Sequence, residues 1–135
     1  MTNSVCIIGS GYSAAALTIH LLTRGMQPDR LAIVGPGRLG QGQAYGCISG
    51  DFRLNVRADL MRLWPDRPDH FAEWAAKNVT DDPDARTDVG AFYRRRDFAA
   101  YMADQISAFP AIAEIQHHQS LAQSITLGQE DWQIV

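Results

Sequence analysis

The chain has 135 residues, of which 46% are hydrophobic, and a formal net charge of −3 at pH 7. This length and composition are typical of one folded domain over residues 1–135 and exclude a disordered chain. The negative net charge argues against nucleic acid as a partner, and the lack of about 18 consecutive apolar residues argues against a membrane span.

The cysteines and the start of the chain predict a reduced, cytoplasmic protein. Cys6 lies within an apolar strand pattern and Cys47 in a polar loop. Two such cysteines do not form the spaced set of a disulfide framework. Residues 1–4 lack the basic region with which a signal peptide begins.

Residues 5–34 carry the pattern of a strand, a glycine turn, a helix and a second strand. Val5–Ile8 is a short, β-branched apolar run that stops at Gly9, which predicts a strand buried on both faces. Apolar and small residues over 12–24 predict a buried helix, with Gly25 after its end. Leu31–Val34 is the second strand, so the segment is a βαβ unit with a right-handed crossover.

The turn after the first strand matches the G-x-G-x-x-G/A pattern of dinucleotide-binding proteins. Its residues are Gly9, Ser10, Gly11, Tyr12, Ser13 and Ala14. The first glycine permits a sharp turn, the second lets a pyrophosphate approach the backbone, and Ala14 lets the helix lie close to the strands. No acidic residue occurs in residues 1–27, so no carboxylate repels phosphate at the helix start. We predict a pyrophosphate site here; the alternative is a turn with only a structural role.

The position that usually recognises the adenosine ribose departs from the pattern. An acid at the end of the second strand normally binds the ribose hydroxyls, but Gly35 stands there and no carboxylate follows closely. Three interpretations are open. The loop backbone and water replace the acid, Arg38 faces a 2′-phosphate and favours NADP(H), or the site is degraded and binds weakly.

The remaining residues complete a Rossmann-like α/β pattern with a parallel sheet, helices on both faces and a C-terminal β-hairpin. The glycine-rich residues 35–50 predict a loop, and the aspartate-rich residues 78–90 predict a solvated one. Apolar periodicity predicts helices over 69–77 and 97–109, the second capped by Asp97 and closed by Pro110. Residues 112–118 predict a third parallel strand, and 122–127 with 132–135 a hairpin.

No motif predicts a metal site or a catalytic nucleophile. The aspartates between Asp81 and Asp88 lack the spacing of a calcium loop, and His117 and His118 point to opposite faces of a strand. The arginines at 94–96 are either a solvated cluster or a phosphate clamp. The three tryptophans are expected in the core: Trp64, Trp74 and Trp132.

Several further motifs follow the glycine turn in order. They are Gly40-Gln41-Gly42-Gln43-Ala44-Tyr45, Leu54-Asn55-Val56, Met61, Pro68 with Phe71 and Trp74, and the segment from Arg95 to Met102. Together with the turn, they resemble the bacterial FAD/NAD(P)-binding protein family over residues 4–109. The family generally carries an acid at the position of Gly35.

The resemblance implies a flavoprotein with two dinucleotide-binding domains, related to flavin monooxygenases and disulfide reductases. FAD is then the cofactor and NAD(P)H the second nucleotide. With the two residues at the ribose position, the candidate cofactor-binding residues are Gly9, Ser10, Gly11, Tyr12, Ser13, Ala14, Gly35, Arg38, Gly42, Ala44, Tyr45, Leu54, Asn55 and Arg95. For Asn55 the alternative is a turn cap, and for Tyr45 it is packing against its own loop. Such proteins are longer, so we expect this chain to be an N-terminal portion.

Two functions follow as hypotheses. The first is the FAD-binding region of an oxidoreductase that passes a hydride from NAD(P)H to flavin and on to an unknown small-molecule acceptor. The second is a non-catalytic nucleotide-binding or interaction module that keeps the fold without turnover. Turnover by 135 residues alone is not expected, because hydride transfer needs a shielded flavin. Exposed edges predict self-association.

Overall fold

A computed structural model describes residues 4–135. Residues 1–3 belong to the segment predicted not to begin a signal peptide, and they lie outside the described residues. The chain divides into two compact units. Unit 1 comprises the described residues up to Gly42 together with Phe109–Val135, and unit 2 is Gln43–Ala108. Within the described range, every helix is too short or too polar to cross a membrane.

The regular elements alternate between strands and helices. In chain order they are β1 Val5–Ile8, α1 Tyr12–Thr23, β2 Leu31–Val34, α2 Gly42–Tyr45, α3 His70–Asn78, β3 Arg86–Thr87, β4 Gly90–Ala91, α4 Arg95–Ser107, β5 Gln116–His118, β6 Ile125–Leu127 and β7 Trp132–Ile134. The loop predicted over 35–50 therefore contains a short helix, α2.

Unit 1 is built on a three-stranded parallel sheet in the order β1-β2-β5. The predicted βαβ unit and the third parallel strand are confirmed. The third strand begins at Gln116 rather than 112, because residues Pro110–Glu114 form a 3-10 helix. Pro110 suits the first position of that helix, where its missing N–H would have no partner.

The core of unit 1 lies between the sheet and α1. Buried Ile7 and Ile33 of the strands pack with Ala14 of the helix. Side chains alternate between the two faces of a strand, and Cys6 and Ile8 on the opposite face of β1 are exposed. The prediction that β1 is buried on both faces is therefore wrong. The fold prediction places helices on both faces of the sheet. In unit 1, α1 covers one of these faces.

The end of α1 is set by Gly25. Its φ of +91° lies in the left-handed region, which favours glycine. Its N–H donates to the carbonyl of Leu22 at 2.9 Å, and the N–H of Met26 donates to Leu21 at 3.0 Å. These bonds satisfy carbonyls of the last helical turn, so the helix ends at Thr23, within a residue of the prediction.

The C-terminal hairpin is confirmed as the antiparallel pair β6 and β7. Leu127 pairs with Trp132 across the two strands. Trp132 is 63% exposed, so the expectation that it packs in the core is wrong. A two-stranded sheet has no second layer of its own to cover a large side chain.

Unit 2 is organised by α3 and α4, which pack through aromatic rings. Phe71 of α3 is fully buried, with its ring 4.9 Å from Phe98 and 5.1 Å from Tyr101 of α4. Trp74 donates its indole N–H to Asp104 at 2.8 Å. The predicted apolar faces of both helices are confirmed, and α4 begins two residues earlier than predicted.

The early start of α4 follows from a hydrogen bond between the Asp97 side chain and the backbone of Arg94. Asp97, predicted as the N-cap, lies one turn inside the helix, and its carboxylate accepts the backbone N–H of Arg94 at 3.0 Å. The N–H of Asp97 in turn donates to the backbone carbonyl of Arg94 at 3.1 Å. Asp97 therefore caps the helix from within, as acids three residues after the N-cap do.

The aspartate-rich segment is only partly solvated, which corrects the prediction of a solvated loop. The carboxylate of Asp82 is buried and receives two hydrogen bonds from Arg53, at 2.7 and 2.9 Å. Arg53 also donates to the carbonyl of Phe92 at 2.9 Å. A fork of this kind holds both partners in one geometry, so it fixes the loop to the rest of unit 2.

Replacing Phe71 by alanine tests the aromatic core. The variant F71A should lower the free energy of unfolding by about 3–5 kcal/mol, because it leaves a cavity between two helices. The matched control W132A removes a larger but exposed ring and should cost about 0.5 kcal/mol. Urea unfolding measures both values, and equal losses would contradict the assigned core.

The histidine at the start of α3 predicts a pH dependence. Burial, with a smaller effect of the Arg67 charge, lowers the pKa of His70 below 6.5, and its Nδ1 lies 2.8 Å from the Tyr101 hydroxyl. As the pH falls, His70 therefore binds its proton at a higher pH in the unfolded chain than in the folded one. The contribution to the free energy of unfolding that is present above pH 6.5 is lost as the pH falls through the folded pKa.

The variant H70Q should lose less stability than the parent between pH 7 and pH 5 (about the range in which histidines titrate), as measured by chemical unfolding. The control Y101F should keep the parent's slope, because it leaves the imidazole and its burial in place. A parent and an H70Q variant with identical slopes would refute the assignment.

Candidate dinucleotide-binding site

The glycine turn, residues 9–11, joins β1 to α1, and two of its three residues have no side chain. Gly9 has a φ of +115°, and its N–H donates to the carbonyl of Val34 at 2.7 Å, so the turn is fixed to the end of β2. A Cβ at Gly9 would meet no atom within 4 Å. Gly11 is the N-cap of α1, and its carbonyl accepts the N–H of Ala15.

The first turn of α1 presents an environment suited to an anion. It contains no acidic residue. Ala14 is buried against the strands, whereas the side chain of Ser13 is exposed. The N–H groups of a first helical turn have no carbonyl partner within the helix and lie at the positive end of its dipole.

Ser10 has a structural role that the sequence pattern does not predict. Its side chain is almost fully buried, its hydroxyl donates to the carbonyl of Pro36, and its carbonyl accepts the N–H of Gly40 at 2.8 Å. The glycine turn thereby holds the loop after β2 at two points. Only the pairing of these distant segments creates this role, so no local pattern could have revealed it.

Gly35 packs directly against the glycine turn. A Cβ at this position would lie 2.6 Å from the carbonyl carbon of Gly9 and from the nitrogen of Ser10. Any larger residue, including the expected acid, would therefore displace the turn. The N–H of Gly35 donates to His118 at 3.0 Å, and Nε2 of His117 lies 2.9 Å from its carbonyl oxygen.

The loop after β2 approaches the backbone of the glycine turn at a second point, Gly42. Its φ is +54°, and a Cβ there would lie 2.9 Å from the Cα of Gly11. Between the two contacts, Arg38 is exposed. Unit 1 thus brings the residues of the glycine turn together with Gly35 and Gly42, and places Arg38 on the loop that joins them.

The other predicted site residues lie in unit 2. Tyr45 packs on Phe98 of α4, outside its own glycine-rich loop, with ring centres 4.8 Å apart. Burial raises the pKa of its hydroxyl, and the charge of Arg95 partly offsets this rise. The remaining members are exposed Ala44, buried Leu54 and exposed Asn55.

The three consecutive arginines have different surroundings. Arg94 and Arg96 each donate to the carboxylate of Asp81 at 3.0 Å, and the hydrogen bond from Arg94 lowers the pKa of that carboxyl. Arg95, at the first position of α4, has no ion pair with any of residues 4–135. The run is therefore neither a simple solvated cluster nor a clamp of three equal cations.

A model of the FAD-NAD(P)-binding family matches residues 6–135. The chain belongs to the FAD-NAD(P)-binding family. No curated protein and no solved structure matches it. The family bears out the Rossmann-like fold and a role in binding a flavin or nicotinamide dinucleotide.

The residues of unit 1 fit the pyrophosphate that FAD-NAD(P)-binding proteins share as a ligand. The space over Gly9 is open, the helix start lacks acids, and the neighbouring loop is held at a fixed place by Ser10. No carboxylate is available at Gly35 for the ribose. Among the described residues, no group of three or more His, Cys, Asp or Glu could hold a metal ion.

Replacing Gly35 by alanine tests the close approach. The variant G35A should lower the free energy of unfolding by about 1–3 kcal/mol, because the new methyl must push the turn backbone away. Gly50 is the control, since a Cβ there would meet only the flexible end of Arg96, at 3.4 Å. G50A should stay within about 0.5 kcal/mol of the parent. Thermal unfolding of both variants checks this, and a neutral G35A would disprove the contact.

Proposed function

We propose that this chain is the FAD-binding region of an FAD/NAD(P)H-dependent oxidoreductase, with the ADP pyrophosphate on the turn from Gly9 to Ala14. The observation that carries the proposal is the turn itself. It runs from a parallel strand into a helix start that is open, bare of side chains at Gly9 and Gly11, and free of acids.

The binding energy would come mainly from the backbone. N–H groups at the start of α1 would donate to the diphosphate oxygens, and the helix dipole would favour the negative charge. Ala14 contributes by its size, because it allows the helix to lie against Ile7 and Ile33 and so brings those N–H groups to the strand end.

The loop after β2 supports the same role by preorganisation. Ser10 holds Pro36 and Gly40, so this wall of the site is formed in the absence of ligand. A loop that is already ordered loses less conformational entropy when a ligand binds.

Bound flavin would supply the hydride-accepting chemistry. The residues assigned here bind and orient, and none of them is assigned as a catalytic acid, base or nucleophile. Ser10, for example, uses its hydroxyl on Pro36 and lies in no nucleophile motif.

Binding is tested with the purified chain and two matched variants of Ser13, whose exposed side chain lies in the first turn of α1. S13E places a carboxylate beside the proposed phosphate site and should weaken FAD binding by about tenfold or more. The same charge suits a helix start, so the melting temperature without ligand should not fall. S13Q has the same size without the charge and should keep the parent's affinity within about twofold.

Titration calorimetry and thermal shift with FAD, NAD(H) and NADP(H) measure these effects. Absorbance of flavin released on denaturation shows whether the chain carries FAD when purified. The proposal fails if none of the three dinucleotides binds or raises the melting temperature, or if S13E and S13Q bind equally well.

A further inference from the structure

The end of β2 offers little to a ribose that carries two free hydroxyls. Gly35 has no room for a side chain, so no carboxylate can stand there. The carbonyl of Pro36 accepts the hydroxyl of Ser10. The carbonyl of Gly35 lies 2.9 Å from Nε2 of His117, and because a carbonyl only accepts, that nitrogen is the donor. Each of these two carbonyls therefore already accepts one hydrogen bond.

The segments that follow the carboxyl ends of the three strands carry a positive charge and no negative charge. The strands are parallel, and Val34 is in register with both Ile8 and His118, so β1, β2 and β5 end together. The segments that follow these ends, residues 9–11, 35–41 and 119–124, contain one arginine, Arg38, and no carboxylate.

The carboxylates of unit 1 lie elsewhere. Asp29 and Glu114 belong to the 3-10 helices that precede β2 and β5, at the opposite edge of the sheet. Glu130 and Asp131 lie in the turn between β6 and β7. Among the described residues, no carboxylate forms an ion pair with Arg38.

Arg38 is held beside the glycine turn by its own loop. Pro36 and Gly40, two residues away on either side, are both bonded to Ser10. The exposed guanidinium of Arg38 makes no ion pair or hydrogen bond to another residue in the described part of the chain. A free guanidinium near a phosphate-binding turn has a planar set of donors that matches a phosphate group.

We infer that the ribose end of this site accepts a 2′-phosphate, and that Arg38 is the residue that provides this specificity. The inference rests on the proposed function, since it requires the pyrophosphate on the Gly9–Ala14 turn. FAD, whose ribose has no phosphate, is held through its pyrophosphate. A 2′-phosphorylated dinucleotide of the NADP(H) class gains the contact with Arg38 and meets no carboxylate that would repel it.

The test compares ADP-ribose with 2′-phospho-ADP-ribose, two ligands that differ only in the phosphate and undergo no redox chemistry. Calorimetry should show that the parent chain binds the phosphorylated ligand about tenfold more tightly. R38Q should abolish this difference, so that it binds the two ligands with equal affinity. R38K, which keeps the charge but not the planar fork, should retain part of the difference.

A charge-matched control distinguishes a local contact from the net charge of the protein. Arg24, the exposed residue that caps the far end of α1, is replaced in R24Q. This variant should keep the parent's preference for the phosphorylated ligand. Equal losses in R24Q and R38Q would overturn the inference, because the effect would then be general electrostatics.

The outcomes separate the inference from the proposed function. If ADP-ribose binds, S13E weakens it, and the 2′-phosphate adds nothing or lowers the affinity, then the role of Arg38 is wrong and the pyrophosphate site stands. If neither ligand binds the parent chain, the proposed function fails, and the inference fails with it.

Discussion

The contact between Gly35 and the backbone of Gly9 and Ser10 constrains the segments of unit 1 that follow β1 and β2. It brings the end of β2 onto the turn that follows β1, with no room for a side chain between them. The N–H of Gly9 and the hydroxyl of Ser10 then both bond to the β2 side. A site whose walls are in backbone contact has a fixed shape before any ligand arrives.

Unit 2 achieves order by a different means. Its helices pack through the rings of Phe71, Phe98 and Tyr101, while the buried carboxylate of Asp82 holds the preceding loop through Arg53. A buried carboxylate is costly unless it is paired and hydrogen-bonded. The forked contact meets this requirement, and the burial of Asp82 is a consequence of it.

The strands, the helices α1 and α4 and the glycine turn could be predicted because their sequence signals are local. β-Branched runs, apolar periodicity and the G-x-G-x-x-A pattern each occupy a few consecutive residues. The errors share a different cause. The burial of Asp82 depends on Arg53, which lies 29 positions earlier, and the exposure of Trp132 depends on what covers a hairpin. The role of Ser10 depends on a loop that starts 25 residues later. Gly35 could be recognised from the sequence as a departure, but its physical reason is a contact with another segment.

The packing of Gly35 also has a consequence for how the site could change over generations. A point mutation in a glycine codon can produce aspartate or glutamate, so a single mutation could introduce the acid expected at this position. In this chain it would collide with the Gly9–Ser10 backbone, so the substitution would be harmful until other changes had moved the turn. Such dependence on prior substitutions is epistasis, and here it closes the direct route to a ribose-binding acid.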